Sequence, residues 1–202
     1  MKKIFNNLFF NINITWVKVI VSAILSALFS AIMLIIPFTI HTSLSAPGTT
    51  FEFWIFMALI IIMNCKKPIE AALKTFVFFL ISQPLIYLIQ VPFSYLGWSI
   101  FIFYKQWFII TLLTFPGAFI AWFIKKDNIL SVLILSIASF MLIYMGKYYL
   151  SYVLNRFPYY VLALLFCFVQ VYGLGFILLK NKTNKVIYFG LSILMTIIIF
   201  II

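Results

Sequence analysis

The sequence is poor in charge. Only 8% of its 202 residues are Asp, Glu, Lys or Arg, and three are acidic: Glu52, Glu70 and Asp127. A soluble domain carries about a quarter charged residues, so water cannot be the solvent for most of this surface. Cysteine is scarce as well. Cys65 and Cys167 fall in no CxxC or zinc spacing and at opposite depths of their apolar runs, which argues against a disulfide and leaves both as small buried hydrophobes. His41 is the single histidine, and a metal site needs three or more ligands. A Ser–His–acid triad would have to recruit Glu52, which is better explained as a helix cap. No Walker loop, GxSxG, HExxH or paired intramembrane acids appear. The apolar runs also lack the ionisable relay of a proton-coupled pump. The expectation is a protein that is not an enzyme and holds no cofactor and no metal.

What the sequence does have is hydrophobicity: 66% of residues are apolar and 20% aromatic. Long apolar runs separated by lysine clusters read as an all-α integral membrane bundle, a single domain over residues 1–202 with no convincing internal repeat. Residues 1–15 read as an interfacial N-terminal segment. The expected spans are 16–40, 51–65, 68–93, 107–124, 128–148, 158–179 and 186–202. Seven spans are the main reading and six the alternative, because the second is short and the seventh terminal. Leu44 and Pro47 disfavour signal cleavage at Ala46, so the first span is expected to be retained. Thr49-Thr50-Phe51-Glu52 reads as a capping box opening the second span. Asp127 or Asn128 is the expected cap of the fifth span.

Charge orients this map. The formal net charge is +11, which on a soluble protein would suggest nucleic acid. Here the basic residues sit between apolar runs, so no nucleic-acid partner is expected. With the N-terminus cytoplasmic, Lys2, Lys3, Lys18, Lys66, Lys67, Lys74, Lys125, Lys126, Lys180, Lys182 and Lys185 lie inside. Lys105, Lys147 and Arg156 lie outside. That asymmetry follows the positive-inside rule. The Lys-, Ile- and Asn-rich composition suggests a low-GC bacterium and its cytoplasmic membrane, with the lipid bilayer as the first partner.

The stretch from Lys66 to Gln90 carries the most polar side chains of any apolar segment. Glu70 and Lys74 are spaced i, i+4 near the helix start and suit an ion pair at the headgroups. Deeper, Gln83, Tyr87 and Gln90 share one stripe, and Pro84 frees the carbonyl of Leu80. Gln170 lies at a similar depth in the sixth span, where the two amides could meet across the bundle. Gln83, Pro84, Tyr87, Gln90 and Gln170 are therefore the candidate substrate-binding residues, for an uncharged or weakly polar solute. Tyr148, Tyr149, Tyr152, Tyr159 and Tyr160 read as an aromatic belt on the outer face.

Ala23, Ala27 and Ala31 form a helix-packing face on the first span, with Ser22, Ser26 and Ser30 alongside. Over about ten residues this A-x-x-x-A face resembles that of the small membrane substrate-binding subunits of energy-coupling vitamin transporters. Those subunits have six spans with both termini inside, against seven expected here, and the chain is not assigned to them. The face instead supports a rival reading: an accessory or scaffold subunit docking another membrane subunit, or a homo-oligomer. A membrane enzyme acting on lipid, through a His41–Glu52 pair, is the third reading.

Overall fold

The computed structural model describes residues 7–201, and every regular element among them is helical. Residues 1–6, with Lys2 and Lys3, and residue 202 lie outside the described residues, so the interfacial segment is described only from Asn7, with a helical turn over residues 7–10. The main helices are α1 (Trp16–Ile35), α2 (Glu52–Asn64), α3 (Pro68–Gln90), α4 (Tyr104–Ala121), α5 (Ile129–Asn155), α6 (Val161–Leu178) and α7 (Lys182–Ile201). Six of them, all but α2, are long and apolar enough to cross a membrane. Their outward faces are apolar: Val17, Leu25, Ile137 and Leu162 are each more than half exposed. Such faces are stable when lipid is the solvent. The protein is a multi-pass membrane bundle.

The terminal run is longer than the sequence suggests, because α7 starts at Lys182 and gains a turn before the apolar residues. The second span is the exception. Its helix has 13 residues, about 20 Å at 1.5 Å per residue, short of a ~30 Å hydrocarbon core.

This short helix is the centre of the fold. None of its residues is exposed, as expected for a segment that is apolar all round. One core cluster joins it to α1, α3 and α4 through Trp54, Ile61 and Ile62. A second joins it to α5, α6 and α7 through Leu59, Ile60 and Met63. Two three-helix groups thus flank one buried half-length helix.

The connection before it also folds inward. Residues 36–51 do not stay at the bundle's end. Ser45, Ala46 and Pro47 are buried. A Cβ on Gly48 would lie 2.4 Å from Leu34 Cδ1 and 3.3 Å from the Ser30 carbonyl oxygen, so the chain passes closely alongside the last turns of α1. The Trp54 indole then donates to the Pro47 carbonyl at 2.7 Å. The short helix is therefore preceded by a loop folded inward beside α1. Irregular backbone is tolerated at this depth because protein, not lipid, surrounds it.

The opposite end is knitted by polar contacts. Asn64 accepts from the Ile12 amide (2.8 Å) and donates to the Leu8 carbonyl (2.8 Å). Lys74 is buried, pairs with Glu70 at 2.6 Å and donates to the Ile14 carbonyl at 2.5 Å. Trp122 and Lys125 both donate to the Cys65 carbonyl. Asn128 caps α5 with a reciprocal Ser131 contact. Asp127 accepts instead from the amides of Lys180 and Asn181 before α7 (2.9 and 2.6 Å). These contacts gather Lys18 and the lysines of the turns before α3, α5 and α7 on one end.

Ala23, Ala27 and Ala31 are fully buried, and α1 packs closely on α3. That face is filled within the chain and is not free to dock a partner. Ala27→Leu is expected to destabilise the protein by about 1–3 kcal/mol through overpacking. Thermal unfolding in detergent followed by circular dichroism would measure it.

Candidate functional site

The candidate amides lie in different halves. Gln83 is buried on α3, and its Nε2 has no hydrogen-bond partner. Ser82 Oγ and Thr75 Oγ1 on the same helix are also buried and unpartnered, as is Ser30 Oγ on α1. Helix α3 runs unbroken through Pro84, which is half-buried. Tyr87 is buried under the rings of Phe101 and Tyr104, at centroid distances of 6.1 and 5.9 Å. Gln90 donates to its own helix, to the Ile86 carbonyl at 3.1 Å. Of the stripe, then, Gln83 alone keeps an open amide donor in the interior, whereas Gln90 spends its donor locally.

Gln170 does not meet Gln83. It lies on α6, and its Nε2 donates to the backbone carbonyl of Glu52 at 3.1 Å, leaving its buried Oε1 unpartnered. The reason is α2: the buried helix stands between the two groups of long helices, and its first residue takes the amide.

That contact leads to a buried polar cluster at the start of α2. Glu52 is 1% exposed and stands about 18 Å along the helix axis from Asn64 at the lysine-rich end. Its Oε1 lies 2.8 Å from Tyr149 Oη and 2.9 Å from Thr50 Oγ1. Tyr149 Oη is also 2.7 Å from Thr50 Oγ1, which is 2.6 Å from the Ala46 carbonyl. Glu52 Oε2 is buried with no partner. The expected capping box is absent, since Phe51 is the N-cap and no side chain bonds the helix start. Thr49 is taken up by the turn it belongs to, its hydroxyl facing the Ala46 carbonyl at 3.4 Å. Thr50, not Thr49, reaches the carboxyl. Glu52, expected as the cap of a helix start, is instead buried, because the chain's fold carries the loop and Glu52 inward.

Tyr149 is corrected with it. It is fully buried rather than part of an outer belt. Its ring stacks on Tyr160 at 5.2 Å, and Tyr160 in turn meets Tyr152. Tyr148 and Tyr159 do stay exposed. A sequence signal existed: Ser139, Leu142, Gly146 and Tyr149 recur at steps of three and four, and all four are buried. A second buried hydroxyl site joins the same group of helices. Tyr188 Oη donates to the Val171 carbonyl at 2.6 Å and lies 2.5 Å from Ser139 Oγ.

No titratable cluster suited to a metal occurs among the described residues. Burial, with the Glu70 charge nearby, pushes the Cys65 thiol up to about 11, so it is protonated and unreactive at neutral pH. A cavity between α5, α6 and α7 is lined by Leu142, Ile143, Gly146, Cys167, Val171 and neighbours, and touches none of the candidate amides. No protein-family model, curated protein or solved structure matches this chain.

Proposed function

We propose that this protein binds and passes a small uncharged or weakly polar solute across a bacterial cytoplasmic membrane, with its N-terminus in the cytoplasm and no catalytic activity. The observation that carries this reading is open hydrogen-bonding capacity deep in the bundle. Gln83 Nε2 is a buried donor and Gln170 Oε1 a buried acceptor, both without partners. Each such group costs about 1–3 kcal/mol when left unsatisfied, and a polar solute that reached either one would satisfy it. The half-length helix α2 adds support. Membrane transporters commonly place the N-terminus of a broken helix beside the solute at mid-depth. The lysine-rich end supports the orientation through the positive-inside rule.

Purified protein in liposomes should raise glycerol or urea flux, and Gln83→Leu with Gln170→Leu should abolish it while the fold is kept. Flux equal in the double variant and the wild type refutes the reading. A second reading, a non-catalytic subunit of a membrane assembly, is favoured by the filling of the bundle axis with the side chains of α2. It predicts no flux for either protein. Such a partner would dock elsewhere than on the alanine face.

A further inference from the structure

We propose that Glu52 is an intramembrane proton-binding site: its carboxyl carries a proton on Oε1, donated to Tyr149, and exchanges it with water through Thr50. The inference is independent of the solute reading. It rests on counting protons against oxygens. Four oxygen–oxygen contacts converge here: Thr50 to Ala46 (2.6 Å), Tyr149 to Thr50 (2.7 Å), Tyr149 to Glu52 (2.8 Å) and Thr50 to Glu52 (2.9 Å). With Glu52 ionised, only the two hydroxyls supply protons. Two of the four contacts would then press bare oxygens together within hydrogen-bond distance. A third proton on Glu52 Oε1 changes the arrangement. Glu52 donates to Tyr149, Tyr149 to Thr50, and Thr50 to the Ala46 carbonyl. The three shortest contacts are then hydrogen bonds, and the longest is the one left without a proton.

The charges around the site agree. The groups facing Glu52 are Tyr149 from α5, with Cys167 and Tyr160 from α6 and its start. None is a cation, and the one ion pair among the described residues is Lys74–Glu70. The N-terminal end of α2 offers partial positive charge, but only a fraction of a unit, which does not replace a counter-ion for a fully buried carboxylate. The route outward is short. Thr50 is half-buried and follows Thr49, which is exposed on the loop. A proton leaving Oε1 passes to Tyr149 Oη as Tyr149 passes its own to Thr50 and Thr50 turns its hydroxyl from the Ala46 carbonyl to release a proton to water at the loop end, and uptake reverses the transfer.

Infrared spectroscopy of the protein in lipid tests this cleanly, because the chain has only three acidic side chains. At neutral pH the wild type should show the C=O stretch of a protonated carboxyl, and the band should shift in D2O. Glu52→Gln should lose the band and Glu70→Gln should keep it. Identical spectra for wild type and Glu52→Gln overturn the proposal. A band that does not shift in D2O overturns the exchange route. Should Glu52→Gln fail to fold, Tyr149→Phe carries the test: it removes the acceptor, so the band must remain but move in frequency, and an unmoved band overturns the assignment.

Discussion

Trp54→Ala is expected to destabilise the protein by about 3–5 kcal/mol, the range for deleting a large buried aromatic. Trp54 is 2% exposed and stands where α2, α3 and α4 meet. Its ring contacts Phe53, Phe78, Phe79 and Trp107 at centroid distances of 5.2 to 6.5 Å. Its site is lined by large rings on three helices, α2, α3 and α4. Its indole also holds the Pro47 carbonyl at 2.7 Å, which fixes the inward-folded loop. Trp54→Phe separates the two contributions. It keeps most of the ring and removes the donor, so about 1–3 kcal/mol should be lost for an unsatisfied buried carbonyl. Unfolding in detergent, followed by circular dichroism, gives both values. Equal losses for the two variants would mean that the hydrogen bond and not the packing dominates.

The second large effect is expected at Gly175. An added Cβ would lie 2.0 Å from Tyr188 Cε1 and 2.3 Å from its Cδ1. Real carbon atoms do not approach so closely, and the ring has no room to retreat. Tyr188 is fully buried and its hydroxyl is held by Val171 and Ser139. Gly175→Ala must therefore separate α6 from α7 or turn the ring out. Overpacking of this kind costs about 1–3 kcal/mol, and turning the ring out adds a similar amount for the abandoned hydrogen-bonding groups. The same detergent unfolding measures it. Tyr188→Ala should be destabilising alone and should suppress most of the Gly175→Ala effect, because the clash has one partner. Additive losses in the double variant would show that the glycine serves backbone conformation instead.

Much of the architecture was legible in the sequence because the bilayer imposes it. A span must be about 20 apolar residues long, so runs such as 128–148 declared their helices. Local pairs were legible too. Glu70 and Lys74 are one helical turn apart, and the i, i+4 geometry brings them together in any helix. The alanines of α1 announced a close helix contact by size alone, though not that α3 would fill it. The candidate amides were visible as polar residues in apolar runs, while the partners of those amides were not. Gln170 finds Glu52, 118 positions away, and nothing local in either segment encodes that meeting.

The residue most misread was Glu52. In sequence it follows a threonine-rich turn and looks like an exposed helix start. It becomes a buried acid because the preceding loop folds inward, which depends on Gly48 passing α1 and on Trp54 gripping Pro47. Both contacts are set by neighbours that only the folded chain supplies. The sequence by itself determined that this is a helical membrane protein, how its apolar runs are punctuated and where its positive charge lies, since those follow from composition and the thickness of the lipid. Only the tertiary structure decided that the loop before α2 folds inward, that α2 is the buried centre of the bundle, and that Glu52, Thr50 and Tyr149 share a site. The physical reason is that bilayer constraints act on each segment alone, whereas a buried hydrogen-bond cluster needs side chains from several segments at one point.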